Sequence, residues 1–402
     1  MSDGTILSGH QPSFYHPGIL AKRLLIDARM QDGASGCAWL VADQDVNEPG
    51  LIQFPDLDEH DRLIRRTWHA VAPRPGVPTC MRSVDRIAPP PRVSRKLPPS
   101  IQEGLDSMHE ALEDAGGATV SERFAEANEA LLRRLVDTPC RMLHASRLSE
   151  TEHGRAILER IAEDPIGCAE CWNEAIRAVP RSARPLHIDQ EDPNAIEVPT
   201  WSVDGDTGLR RKGTLGELRR ALAEQEPILP RAFLMTAIVR SSGFETMVHG
   251  TGGGRYEAVT NQWAARFLGI ELPPIVMTTA TVLLPLEAFA PAEQDLPTPE
   301  QVRALEHDPW PETGHKQVLV EAIRNAPRGS DERRTRYLDL QSERARQQDL
   351  IGSRLLEMKA GVEAGREALA GRLVGEERSW AWPLHDIETL REALTNGFDD
   401  AA

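Results

Sequence analysis

Lysine is scarce in this chain. Of its 46 basic residues only Lys22, Lys96, Lys212, Lys316 and Lys359 are lysine, and arginine supplies the other 41. A lysine kept amid such arginine usage offers a compact ammonium that a guanidinium does not mimic. Positive charge as a whole is also in short supply. The formal net charge of −16 argues against general binding to a phosphate backbone, so no nucleic-acid partner is expected. The aromatic stripe of RNA binders is missing as well. No run of about 18 apolar residues occurs. The best candidate, "PPIVMTTATVLLPLEAFAPA", is broken by prolines and reads as buried strand and loop, so no membrane partner is expected. The first residues carry Asp3 and lack a basic segment followed by an apolar one, which predicts no secretory leader and makes the cytoplasm the default location. Five cysteines, an odd number in 402 residues, do not suggest a disulfide framework. The motifs G-x-S-x-G and H-E-x-x-H and the kinase set are absent.

What is present is an ordinary globular composition, 40% apolar and 27% charged. The length suits two domains, or one domain with large insertions. An apolar run at 5–8, a loop at 9–18, a helical stretch at 19–30 and a second apolar run at 37–42 form a βαβ pattern. That pattern predicts an α/β fold with a parallel sheet. Residues 72–99, rich in proline and arginine, predict an irregular crossing segment. Helices are expected over 100–136 (split at Gly116-Gly117), 150–178, 214–226, 231–240 and 255–268. Strands are expected over 140–146 and 245–250, a strand–turn–strand within 180–215, and one or two strands in "PIVMTTATVLL". Residues 332–374 predict one long helix. Its Ile351, Leu355, Met358, Val362, Leu369 and Leu373 step mostly by four and three, which suits a coiled-coil seam or the side of a domain.

Four stretches could carry chemistry. In "SGHQPSFYHPGILAKR" (8–23), His10 closes the first strand. His16, Pro17 and Gly18 open a helix, and Lys22 follows one turn in. A loop feeding a helix N-terminus at a strand's carboxyl end favours an anion. His16-Pro17-Gly18-Ile19 resembles the HxGH signature of class I aminoacyl-tRNA synthetases and nucleotidylyltransferases, with Ile19 in place of its last histidine. His10 and His16 are expected to steady a phosphate or carboxylate that Lys22 neutralises, with Gln11, Tyr15 and Gly18 as binding residues. In "LVADQDVNE" (40–48), Asp43 and Asp45 are expected to hold an incoming amine or take its proton, beside Asn47. In "VHGTGGGRYEAVTNQW" (248–263), His249, Gly250, Thr251, Gly252 and Gly253 are expected to close the other side, with Tyr256 and Glu257 touching substrate. Cys168 and Cys171 form one CxxC, half of a zinc site without a matching half. They read better as core cysteines, and no metal is expected.

Together these stretches resemble the BshC family, the cysteine-adding ligases of bacillithiol biosynthesis, and more closely the shorter BshC-like proteins. The likeness rests on segment order: "SGHQPSFYHPGILAKRLL", "WLVADQDVNEP", then "ILPRAFLMTAIVRSSGFETMVHGTGGGRYEAVTNQWAARFLGIELPPIVMTTATVLL", and a long helix ending in "ERSWAWPLHDIETLREAL". "GTGGGRYE" stands where that family has a GGPGE-like loop, and Asp43-Gln44-Asp45 matches its EDHD pattern only in part. "GHQPSFYHPG…K…ADQDV" is also similar to WbqC-like proteins, which look like acyl or aminoacyl transferases acting on sugars. The resemblance implies a Rossmann-like core over 1–295 with inserted segments at about 60–225, and a helical coiled-coil arm over 296–402 that forms a homodimer. It implies a ligase adding cysteine to an amino-sugar malate, or another amino acid or acyl group to a sugar-derived or small-molecule acceptor; the incomplete HxGH and the replaced GGPGE-like loop leave a non-catalytic binding or scaffold protein that keeps the fold as the alternative. ATP or ADP is the cofactor expected.

Overall fold

In the computed structural model the described residues are 4–290, 296–310 and 313–399. The strands are β1 (Thr5–His10), β2 (Gly36–Val41), β3 (Leu51–Leu57), β4 (Leu63–His69), β5 (Arg141–His144), β6 (Glu197–Val203), β7 (Arg210–Thr214), β8 (Leu229–Pro230), β9 (Thr246–His249) and β10 (Ile275–Met277). Five of them form one parallel sheet in the order β10-β9-β1-β2-β5. Two small sheets, β3-β4 and β7-β6-β8, stand apart. The helices α1 (Pro17–Gln31), α2 (Pro99–Asp114), α3 (Val120–Leu132), α4 (Glu152–Glu163), α5 (Pro165–Ala178), α6 (Leu215–Glu224), α7 (Ala232–Arg240) and α8 (Gly254–Trp263) alternate with the strands. This is the α/β, Rossmann-like parallel core that the βαβ pattern predicts.

A parallel sheet buries both faces, and the sequence of β1 and β2 is apolar enough to allow it. Leu7, Ala38 and Leu40 face a core shared with Trp172, Phe233, Leu234 and Trp263. Trp39, on the opposite face of β2, meets α1 through Lys22 and Arg23. The β1–β2 ladder runs the whole strand, Thr5 to His10. The β1–β9 ladder covers only Ile6 and Leu7. Beyond it the hydroxyl of Ser8 donates to the carbonyl of Val248 at 2.8 Å.

Several elements differ from the sequence reading. The hairpin β3–β4 falls where no strand is predicted. The helix expected over 150–178 breaks at Asp164, whose side chain accepts the Gly167 N–H ahead of Pro165, a strong stop-and-start signal. Only Ile275–Met277 of "PIVMTTATVLL" joins a sheet.

The chain divides into two units. One comprises the residues up to Leu57, Arg65–Pro285 and everything from Glu377; the other comprises Asp58–Ile64 and Leu286–Glu376. The domain boundary expected at 295 lies outside the described residues. The second unit holds α9 (Pro299–His307), α10 (Thr313–Asn325), α11 (Asp331–Leu350) and α12 (Gly352–Gly375). The expected long helix is thus two helices, interrupted at Ile351, whose ψ is 0°. Ile351, Leu355, Met358 and Val362 are half-buried, whereas Leu369 and Leu373 are exposed. Gly361 and Gly365 lie on the same half-buried face, where a Cβ would crowd Pro297 and touch Leu296. Their glycines therefore reflect close packing within this unit. Among the described residues no helix is long and apolar enough to cross a membrane.

The sequence groups 377–402 with the C-terminal arm, yet this segment clusters with the first unit. Its tryptophans explain why. Trp380 and Trp382 are buried, as are Leu384 and, on α13 (Ile387–Asp399), Leu390 and Leu394. Each of those leucines contributes about 1.5–3 kcal/mol. The indole of Trp382 donates to Asn128 Oδ1 at 3.0 Å, and its backbone N–H to the Tyr15 carbonyl at 2.8 Å. Gly104 of α2 lies so close that a Cβ there would sit 2.1 Å from the Pro383 carbonyl oxygen. Gly104→Ala is expected to cost about 1–3 kcal/mol of stability, read as a lower denaturant midpoint. An unchanged midpoint would mean that the 380–384 segment does not pack on α2.

Candidate active site

In an open parallel sheet, chain connections leave a crevice where the strand order reverses. Here that place lies between β1 and β9, which stop pairing after Leu7 and Met247. A cavity of about 860 Å³ lies there, bounded by the ends of both strands, the first turns of α1 and α8, α7, and the β6–β7 hairpin. Lys22, Arg184, Arg210, Arg211, Lys212 and Arg231 line it, against the single carboxylate of Glu257. A basic cleft in so acidic a chain is a local arrangement, absent from the bulk charge.

Most of these cations are held from outside the cleft. Arg231 bonds Glu197 at 2.5 Å and Lys212 bonds the same carboxylate at 2.9 Å. Arg211 pairs with Glu217. Arg210 donates to the Gln44 carbonyl at 2.7 Å and reaches Asp45 at 3.4 Å. Arg210 and Arg231 both pack on the Trp201 ring, 4.1 and 4.7 Å from its centroid.

Lys22 differs. It is 3% exposed, its Nζ donates to the Gly9 carbonyl at 2.5 Å, and it lies 5.2 Å from the Trp39 ring centroid. Among the described residues it has no carboxylate partner. Burial pulls its pKa down to about 7, because desolvation disfavours the charged form.

Two histidines end the two strands of the crevice in the same way. His10 Nδ1 lies 3.3 Å from the Gln11 carbonyl, and His249 Nδ1 lies 3.0 Å from the Gly250 carbonyl. A carbonyl only accepts, so in each ring Nδ1 carries the proton and Nε2 keeps its lone pair. Burial, reinforced by the charge of Lys22, lowers the His10 pKa to about 3. Burial also lowers that of His249. Both are therefore neutral acceptors at pH 7. His249 Nε2 lies 3.8 Å from Glu257 Oε1. Glu257 in turn pairs with buried Arg240 at 2.8 Å; burial raises its pKa and the guanidinium opposes that. A Cβ on Gly253 would lie 1.5 Å from His249 Cε1, so this glycine makes room for the ring.

The structure thus brings His10, Gln11, Lys22, His249, Gly250, Gly252, Gly253, Tyr256 and Glu257 to one cleft. Other expected residues lie elsewhere. His16 caps α1: its Nδ1 accepts the Gly18 N–H at 3.1 Å, occupying a donor that an anion would have used. Gly18 is there for packing, since a Cβ would sit 2.8 Å from the Ala280 carbonyl oxygen. Tyr15 is buried beside Trp39 and His10. Asp43 is buried and its carboxylate accepts from Ser146 N, Ser146 Oγ and His144 Nδ1 at 2.8, 2.7 and 3.1 Å. It borders a separate cleft of about 490 Å³. Asp45 stands behind the wall, accepting from Gln11 Nε2 at 3.3 Å. Asn47 and Thr251 do not line the cleft. Cys168 is packed in the core and Cys171 is half-buried. Among the described residues no group of three or more His, Cys, Asp or Glu could hold a metal ion.

The sequence reading missed Trp201, Arg210, Arg231 and Phe233. The one signal for them is the basic run Arg210-Arg211-Lys212 in an acidic chain.

No family model matches the chain, and no curated protein does. Among solved structures it is similar to the tyrosyl-tRNA synthetase of Archaeoglobus fulgidus in complex with L-tyrosine. The identity is 13% over 92% of this chain and 89% of that one, with a TM-score of 0.28. That likeness is too loose to carry an argument.

The Lys22 geometry makes a stability prediction. Its folded pKa of about 7 lies below the ordinary 10.5, so between those values the unfolded state binds more protons than the folded one. Stability then rises with pH across that window, by up to about 1.4 kcal/mol per pH unit. Lys22→Met is expected to remove this rise and to raise the unfolding midpoint at pH 7. Parallel stability–pH curves for the two proteins would overturn the assignment.

Proposed function

We propose that the chain is an enzyme that joins an amino-acid or other acyl group to the amine of a small acceptor, the activity class implied by its resemblance to BshC-like and WbqC-like proteins. The observation that carries this reading is the buried ammonium of Lys22, without a carboxylate partner, in one cleft with two neutral imidazoles. Lys22 receives the phosphate or carboxylate of a substrate, and the anion restores the charge that burial suppresses. Arg210 and Arg211 extend that positive surface. Nε2 of His249 takes the proton that the amine loses as its nitrogen bonds to the acyl carbon, and the acyl leaving group departs with its electron pair. Trp201, Phe233 and Tyr256 give a flat apolar wall for the body of the substrate. ATP or ADP fits these residues, since an orphan ammonium suits a phosphate and aromatic rings suit a base. ATP would supply the leaving group. In the finer form, cysteine is the acyl donor and an amino-sugar malate brings the amine. The same resemblance assigns a homodimer through the C-terminal helices; the acidic composition argues against a nucleic-acid partner, the sequence offers no long apolar run for a membrane, and the cytoplasm stays the expected location. Leu356, Leu369 and Leu373, exposed on α12, favour the self-association.

Calorimetry with malate, whose carboxylates do not titrate above neutrality, tests the site. Affinity is expected to fall above pH 7 as Lys22 loses its proton, approaching tenfold per pH unit. Lys22→Ala is expected to weaken binding about 10–100-fold and to flatten the pH dependence. Failure of malate, cysteine, ATP and ADP to bind at millimolar concentration would replace the enzyme by a binding protein that keeps the fold.

A further inference from the structure

We propose that Cys37 and Cys140 form a thiol–disulfide exchange site that reacts with low-molecular-weight disulfides, Cys37 as the attacking thiol and Cys140 as the resolving one. The two residues lie side by side at the start of β2 and just before β5. Ala38 pairs with Arg141 in that parallel ladder, which puts Cys37 opposite Cys140 one step earlier. Their sulfurs are 3.1 Å apart, with the Cys140 thiol directed at Cys37 Sγ. Cross-strand neighbours in a sheet fall within the Cα separation that a disulfide spans.

The surroundings divide the roles. Cys37 is half-buried and Cys140 is buried, so an incoming reagent meets Cys37 first. Arg23 is 1% exposed. Its Nη2 bonds Glu129 at 2.9 Å and the Thr138 carbonyl at 3.4 Å, while Nε and Nη1 have no hydrogen-bond partner. A buried guanidinium with two idle donors asks for negative charge, and its field acts on both thiols. The hydrogen bond from Cys140 lowers the Cys37 pKa against its burial, with help from Arg23. The same contact raises that of Cys140. A half-exposed, acidified thiol beside a buried thiol that donates to it is the arrangement of a reactive dithiol.

The chemistry balances. The Cys37 thiolate attacks a small disulfide, forming a mixed disulfide and expelling one thiolate. Cys140 then attacks Cys37 Sγ, its proton passing to the second thiol as that leaves. The protein loses two thiols, and one small disulfide becomes two thiols.

The test exposes the full native chain to cystine at pH 7 and counts thiols, with peptide mass spectrometry to place the bond. The expected result is a loss of two of the five thiols, joined as Cys37–Cys140. Cys140→Ser should stop at a mixed disulfide on Cys37. Cys37→Ser should slow any reaction at Cys140 at least about tenfold. Retention of all five thiols, or first reaction at Cys80 or Cys171, would overturn the proposal. So would a Cys140→Ser protein that carries no adduct at Cys37.

Discussion

The structure turns on how β1 is paired. On one side it is laddered to β2 for its whole length; on the other it is laddered to β9 at two residues only. The crevice between β1 and β9 comes from the strand order, with β2 added on one side of β1 and β9 on the other. Early separation from β9 widens it at the carboxyl ends, where the strand order reverses and loops from both strands converge. The Ser8–Val248 bond keeps the strands together at the base of the opening. The carbonyl of Gly9, the next-to-last residue of β1, is then near enough to hold the ammonium of Lys22. The strand order thus sets the position of the cleft, and the β1 end beyond the short ladder places its central cation.

Inside that opening, charge is kept in two ways. Arg210, Arg211, Arg231 and Lys212 are tied to carboxylates that stand behind them (Asp45, Glu217 and Glu197), so their geometry persists without a ligand and their charge is partly neutralised. Lys22 is tied only to a neutral carbonyl. It bears the desolvation cost of burial without Coulombic relief. It is the group in the cleft with most to gain from an arriving anion.

Much of this was legible in the sequence, for physical reasons that can be named. The βαβ start is short-range and periodic, and its two apolar runs leave little choice of element. His10, Lys22 and His249 were legible because an ionisable residue at a strand end, or one turn into the following helix, has few other places to go. The assignments of Asp43 and Asp45 went astray because the alternation of a strand ends at Val41. Once the backbone turns, residues two apart no longer share a face: Asp43 borders the second cleft, while Asp45 lines neither and is held by Gln11. Trp201 and Arg210 were hidden by distance from the first strands: Arg210 meets Gln44 across 166 residues of sequence, and no local pattern encodes that approach. The packing of Trp380 and Trp382 in the first unit was hidden for the same reason.

The histidines also explain why recognition falls on a side chain. Two backbone features of the sequence suggest anion sites: the N-terminus of α1 and the glycine loop after β9. In the structure both are engaged by histidine. His16 accepts the free N–H of Gly18 at the helix start, where an anion would otherwise sit. In the loop, the His249 ring fills the space beside Gly253, donates to the Gly250 carbonyl, and leaves the Gly253 N–H bonded to that same carbonyl at 3.0 Å. The glycines therefore seat an imidazole and do not cradle a phosphate. With Gly18 and Gly253 so engaged, negative charge entering this crevice meets Lys22, a buried cation without a carboxylate partner among the described residues. The neutral Nε2 of His249 remains to accept a proton.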